Sequence, residues 1–388
     1  MGGGALDGVT ILDLASVGPA ARASRWLADY GAAVVKVGPV PARGAAQTSP
    51  PYFAYGAHRG MKRVLLDLKR PSGVEAFLRL AERADVVIES FRPGVTSRLG
   101  IGYDEVRARN DSIVYCSTSG FGQSGPYATW AGHDLDYLAV GGYLDCTGRD
   151  SAGGPALPGA TVADAAAGGM HAVIAITTAL LRRARTGEGA YLDVSVADGV
   201  LALMSLQIDE YLATGAVPGP RQGLLTGRYA CYDTYRAGDG GWLAVAAIEA
   251  KFWANLCRAL GLQRWIDAQL DDRAQDHIRT DLRQVFASRD RDDWVRELST
   301  RDTCVAPVLS IPEVAADPHF TTRRSFVDAT HPRHGQFRQV APTLAGTLRP
   351  DPSSQLPDVE VTDTDDVLRR AGLSLAEVVD LREAGVVA

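Results

Sequence analysis

Apolar positions in the first half of the chain fall into short continuous runs, and segments of helical period separate them. Residues 9–14 read as a first strand. Pro19 then opens a helix over 19–30, with Trp26, Leu27 and Tyr30 on one apolar face and Gly31 at the stop position. Residues 33–37 form a second run. The same punctuation recurs as a strand over 63–67, a helix over 72–84, and strands over 86–89 and 113–116. From Ala163 a small-residue run, Ala165-Ala166-Ala167-Gly168-Gly169, leads into a long apolar helix that ends near Arg185, and 191–196 is a further strand. Tight helix packing and close approach of a ligand would each explain the small residues. This alternation predicts a parallel sheet covered by helices.

The composition changes after Leu212, where Gly215, Pro218, Gly219, Pro220 and Gly223 cluster. A hairpin of 229–235 and 241–247, turned at Gly238-Asp239-Gly240, follows, and then helices rich in Arg and Asp. Pro350, Pro352 and Pro357 precede two closing helices over 364–371 and 375–384. The expected organisation is a large α/β domain over 1–200, completed by 330–388, and a smaller α+β domain over 225–325. A linker over 201–224 and a return linker within 326–388 would connect them. There is no internal repeat.

At 388 residues, 46% hydrophobic and 22% charged, the chain has the composition of a globular protein with room for both domains. A net charge of -6 argues against general nucleic-acid binding, which needs a broad positive surface. Cys116, Cys146, Cys231, Cys257 and Cys304 form no CxxC pair and no metal-ligand spacing, so reduced thiols and no metal are expected. Met1-Gly2-Gly3-Gly4 begins a segment with neither a basic nor a long apolar stretch, and no window reads as a membrane span. Cytoplasmic residence is the expectation. The first strand is followed by Ala15-Ser16-Val17-Gly18-Pro19-Ala20, which is not GxGxxG, so a nicotinamide cofactor loses its main support.

Candidate chemistry rests on His133 in Gly132-His133-Asp134, on Asp164, and on Glu249. An imidazole titrates near neutrality and a carboxylate can be tuned towards it, so two such groups on opposite faces of one carbon could remove and return a proton. A lone His beside an Asp also commonly caps a helix.

Further segments decide between these readings. Ala32-Ala33-Val34-Val35-Lys36-Val37, Leu66-Asp67-Leu68-Lys69, Ser90-Phe91-Arg92-Pro93-Gly94-Val95, Gly120-Phe121-Gly122-Gln123-Ser124-Gly125-Pro126 and Leu381-Arg382-Glu383-Ala384-Gly385-Val386 occur in this order along the chain. With them the sequence resembles the class III (CaiB/BaiF-type) CoA-transferase superfamily throughout, and most of all its alpha-methylacyl-CoA racemases. The resemblance implies a large Rossmann-like domain and a small domain threaded through those of a second copy, as an interlocked homodimer. It also implies an acyl-CoA substrate and no separate cofactor, while the charge and the lack of an apolar window leave no nucleic-acid or membrane partner expected.

By the same resemblance, His133 and Asp164 would be the two acid/base groups of a racemase acting on 2-methylacyl-CoA thioesters. Glu249 would hydrogen-bond His133, and Asp134 would cap the following helix or steady His133. Backbone N–H groups at the helix start after Asp164 would stabilise the enolate oxygen. Arg59, Lys62, Arg92 and Arg98 are the candidates for the CoA phosphates. Val17, Gly18 and Tyr137 would contact the acyl or pantetheine portion. The aspartate alone fits the rival reading equally, a CoA-transferase with Asp164 as covalent nucleophile. A third reading is a non-catalytic acyl-CoA-binding homologue. The chain departs from the racemase pattern at Ala160-Thr161-Val162-Ala163-Asp164, where close racemases carry Asn-Leu-Val-Gly-Asp. It departs again at Arg22 and Arg25, which fall near the expected acyl pocket unless they are simply solvated.

Overall fold

Strict alternation within the strands builds a two-faced sheet. The computed structural model describes residues 4–41, 58–348, 355–358 and 360–388, so Pro350 and Pro352 lie outside the described residues. Strands β1 (Thr10–Asp13), β2 (Ala33–Gly38), β3 (Lys62–Leu65), β4 (Val86–Glu89), β5 (Val114–Ser119) and β6 (Ala190–Ser195) form one six-stranded parallel sheet in the order β3-β2-β1-β4-β5-β6. Leu12, Val35, Val64, Val87 and Tyr115 point to one face, where Phe77 and Leu80 of helix α2 (Pro71–Ala81) and Leu368 and Val378 of the C-terminal helices meet them. Ile11, Val34, Ile88, Val114 and Cys116 point to the other, against Ala23 and Leu27 of helix α1 (Gly18–Asp29) and Ala172 and Ile176. Each such buried aliphatic side chain contributes about 2 kcal/mol. The strand order reverses between β1 and β4, and crevices outside the carboxyl ends of strands at such a point are where open α/β sheets bind ligands.

A buried ion pair fixes the chain as it leaves β1. Asp13 and Lys36 are register partners in β1 and β2, and the ammonium donates to Asp13 Oδ2 at 2.6 Å and also to the Ala15 carbonyl. Asp13 Oδ1 accepts the Ala15 N–H at 2.7 Å. The turn leading to Val17 and Gly18 is thereby held on both its donor and its acceptor.

The long helix expected from Ala163 opens as a π-helix over Ala163–Met170 and continues as an α-helix over His171–Thr186. Its small residues are required by helix packing. A Cβ on Gly168 would stand 2.5 Å from Pro19 Cβ of α1, and one on Gly199, in the helix Val196–Leu203, would stand 2.0 Å from the Ala167 carbonyl oxygen. By length and composition alone Ala163–Thr186 could cross a membrane, where no such window was expected. Here it packs against α1 and the sheet.

The chain divides into two units. The first comprises 1–143, 158–205 and 318–388, and the second 144–157 and 206–317. The second is built on a three-stranded antiparallel sheet of β7 (Tyr232–Arg236), β8 (Trp242–Ala246) and β9 (Val305–Pro307), with Tyr235, Leu243, Trp253, Leu256, Phe286 and Trp294 in its core. Residues 144–157 therefore group with the second unit and not with the large domain. The predicted linker over 201–224 is helical as far as Thr214, and the return segment holds an antiparallel hairpin of β10 (Phe326–His331) and β11 (Gly335–Val340).

At the carboxyl end of β4, Glu89 is 2% exposed and accepts the Phe91 N–H at 2.7 Å. Burial raises its pKa to about 7 from 4.5, against the opposing hydrogen bonds from Ser117 and Phe91. The native state thus holds a proton that the unfolded chain releases near pH 4.5. Stability from this group is full below that pH and falls as pH rises towards about 7, by on the order of 3 kcal/mol in total. Glu89→Gln, which keeps an acceptor for Phe91, should flatten this decline in urea-unfolding midpoints measured from pH 5 to 8. An unchanged slope would remove Glu89 as its source.

Candidate active site

Two helix starts in the first unit carry the candidate residues. Strand β5 ends at Ser119, and the loop that follows is pinned where Asp193 of β6 accepts the Gln123 N–H, at 3.0 Å to Oδ2. Phe121 packs edge-on against Tyr127, Trp130 and Tyr137, which closes the loop on itself. Tyr137 is 8% exposed, and its hydroxyl donates to the Gly132 carbonyl at 2.5 Å. The ring is packed inside, and the hydroxyl holds the residue before His133.

His133 occupies the N-cap position of the helix Asp134–Val140, and its backbone N–H is accepted by Asp136 Oδ2 at 2.9 Å. The expected cap is thus supplied by Asp136. Asp134 does something else. Its Oδ1 accepts the backbone N–H of Asp164 at 2.8 Å, satisfying an otherwise orphaned donor in the first turn of the π-helix. One carboxylate therefore ties the His133 helix to the Asp164 helix.

Asp164 lies in that first turn, and its pKa is raised, by burial and then by the negative charge of Asp134, while Arg22 and His133 pull it down. His133, Asp134 and Asp164 are thus close enough to act on one another electrostatically. The next donor, Ala165 N–H, bonds the Thr161 carbonyl at 3.0 Å. With the N–H groups of Asp164 and Ala165 both satisfied internally, neither serves as the expected oxyanion donor. π-Helical turns recur at functional sites, and this one widens the helix where Asp164 projects.

The cations separate into two groups. Arg59 is 3% exposed, donating to Asp29 at 2.9 Å and to the Val340 carbonyl at 3.0 Å, so it is a structural tie and not a phosphate ligand. Arg25 shares Asp29 at 3.1 Å and is largely buried rather than solvated. Lys62 pairs with Asp366 at 2.6 Å at an exposed position. Arg92 and Arg98 are exposed and carry no ion pair among the described residues, so they remain available for phosphate. Val17 is 44% exposed at the N-cap position of α1, next to Gly18. Glu249 belongs to the second unit, exposed, at the N-cap position of the helix Ala250–Ala259.

Three features escaped the sequence reading. The Asp134 link joins residues 30 positions apart. Arg22 reaches Thr161 Oγ1 at 2.7 Å and so sits beside the segment that leads to Asp164. In the second unit a cleft of about 550 Å³ is lined by Arg221, Arg228, Arg279, Arg283, Asp233 and Trp242, among other residues, and none of the sequence-predicted site residues lines it.

The model of CoA-transferase family III matches residues 6–359. The human alpha-methylacyl-CoA racemase is 33% identical over 385 residues, covering 99% of this chain and 97% of that protein. The succinate–glutarate CoA-transferase of Agrobacterium fabrum is 30% identical, covering 83% of this chain and 84% of its own. A crystal structure of a CaiB/BaiF family protein from Brucella suis superposes with a TM-score of 0.78 at 28% identity, covering 96% of this chain and 100% of that one.

Asp134→Asn keeps an oxygen for the Asp164 N–H and removes the charge that raises the Asp164 pKa. Carbon-13 NMR titration should show the Asp164 carboxyl ionising at lower pH in the variant. Asp134→Ala, which strands that N–H, should lower stability by about 1–3 kcal/mol. An Asp164 titration indifferent to Asp134→Asn would contradict the coupling.

Proposed function

The chain belongs to CoA-transferase family III, and from that premise we propose that it interconverts (2R)- and (2S)-2-methylacyl-CoA thioesters by moving the C2 proton between His133 and Asp164. One observation carries the reading: Asp164, its proton affinity raised by burial and Asp134, lies within electrostatic reach of His133. A carboxyl tuned upwards is a better base for a weak carbon acid and a competent donor in return. The similarity to the human racemase over nearly the whole chain supports the same reading.

One group takes the proton from C2, the thioester oxygen carries the charge of the resulting enolate, and the other group delivers a proton to the opposite face. Each enantiomer is deprotonated by one residue and formed by the other. No separate cofactor enters this scheme. Arg92 and Arg98 bind the CoA phosphates, and Val17 lies along the pantetheine.

The partner subunit's Glu249 completes the site by hydrogen-bonding His133 and fixing its tautomer, within an interlocked homodimer. An exposed apolar surface supports this assembly. The helix Ser205–Thr214 buries none of its residues, and Leu206, Leu212 and Val217 are each at least 70% exposed. Light scattering should give twice the chain mass of 41.2 kDa, and a monomer would rule the assembly out.

Incubation of one enantiomer of a 2-methylacyl-CoA with the protein should yield the other, with no need for an acyl acceptor. His133→Ala should lose that conversion while still binding CoA. A CoA-transferase would instead leave the configuration untouched and form an Asp164 thioester adduct that hydroxylamine traps. Binding without either reaction would identify a non-catalytic homologue.

A further inference from the structure

Positive charge gathers at one cleft in a chain whose net charge is -6. The cleft, of about 550 Å³, lies wholly within the second unit, beside the edge strand β7. Asp233 of β7 anchors it. Its side chain is 7% exposed, and its Oδ2 accepts both from Arg221 and, at 3.3 Å, from Nε of Arg279. Arg279, in the helix Gln275–Phe286, also donates to the Gly227 carbonyl at 2.9 Å. The Arg221 guanidinium lies over Gly227, where a Cβ would stand 3.3 Å from its central carbon, and Gly227 has a φ of 98°. One turn beyond Arg279, Arg283 lines the same cleft, exposed and with no ion pair among the described residues. Arg228 is neutralised by two hydrogen bonds to Asp272, and Asp276 comes no nearer to Arg279 than 3.8 Å from a fully solvated position. Three guanidiniums thus surround one buried carboxylate, and the cleft keeps an excess of positive charge.

Trp242 of β8 lines the cleft as well and is 46% exposed. An indole left in water beside cations offers a face on which a planar ring can stack. Guanidinium forks match phosphate oxygens in pairs, and a phosphate monoester carries nearly two negative charges at neutral pH, which suits an excess that a single carboxylate would not cancel. A bare anion would fill little of a volume that falls in the range of roughly 300–1,000 Å³ typical of small-molecule sites. We propose that this cleft binds a nucleotide, with its phosphate against Arg279 and Arg283 and its base on Trp242. The proposal goes beyond the acyl-CoA reaction and does not depend on it, since His133, Asp164, Arg92 and Arg98 all lie in the first unit.

Titration calorimetry of the full chain with AMP, adenosine, ribose 5-phosphate and inorganic phosphate separates the two halves of the site. AMP should bind about tenfold or more tightly than adenosine, the effect of one charge-assisted pair, and by a similar factor more tightly than ribose 5-phosphate or inorganic phosphate, which lack the base. Arg283→Gln removes a side chain that no ion pair ties to the fold, and it should weaken AMP about tenfold while leaving adenosine unchanged. Trp242→Ala should bring AMP down to the affinity of ribose 5-phosphate. Because AMP resembles one end of CoA, the double variant Arg92→Gln, Arg98→Gln serves as the control, and it should bind AMP as the wild type does. Equal affinities for AMP and adenosine, or for AMP and inorganic phosphate, would overturn the proposal. So would AMP binding that survives Arg283→Gln but is lost in the double variant, which would place AMP in the first unit.

Discussion

The candidate site depends on how closely the helix that begins at Ala163 can lie between α1 and the helix Val196–Leu203. Gly168 faces Pro19, and Gly199 faces the Ala167 carbonyl, at separations that leave no room for a Cβ. Any side chain at either position would push the helices apart and carry Asp164 with them. The Asp134 carboxylate then sets the remaining degree of freedom by binding the Asp164 N–H, so the His133 helix follows the same anchor. Helix packing places the carboxyl, and one side-chain hydrogen bond places its partner.

The same arrangement tunes the chemistry. Burial and the charge of Asp134 favour the protonated form of Asp164, whereas Arg22 and His133 favour its ionised form. A group balanced in this way can both accept and return a proton, as a two-directional reaction requires. Asp134 therefore has two consequences that mutation can separate, one through its hydrogen bond and one through its charge. The cations divide by a similar logic. Arg59 is consumed by the fold at Asp29 and Val340, while Arg92 and Arg98 remain exposed to solvent.

Features set by local pattern were legible in the sequence. The apolar runs of β1 to β6, the proline start of α1, the hairpin around Gly238-Asp239-Gly240 and the two closing helices all follow from periodicity and turn chemistry over a few residues. The family resemblance rests on contiguous motifs, and the match over 6–359 agrees with it. Features set by contacts distant in sequence were not legible. The close packing of the π-helical turn involves Pro19 and Gly199, the commitment of Arg59 depends on Val340 of β11, and the burial of Tyr137 depends on how its loop folds back. The helix through the predicted linker carried its apolar residues on no consistent inward face, which hid its extent. Asp134 was expected to cap its helix or steady His133, whereas its carboxylate accepts the backbone N–H of Asp164.

The central claim is that two residues, on opposite faces of C2, share the proton. The most direct measurement follows deuterium in heavy water, starting separately from each enantiomer of a 2-methylacyl-CoA. Two distinct bases place deuterium at C2 of the product enantiomer from the first turnover. His133→Gln should then abolish interconversion while leaving Asp164 able to exchange the C2 proton of one enantiomer only. Exchange of both enantiomers by His133→Gln, or no exchange by the wild-type protein from either side, would contradict the assignment.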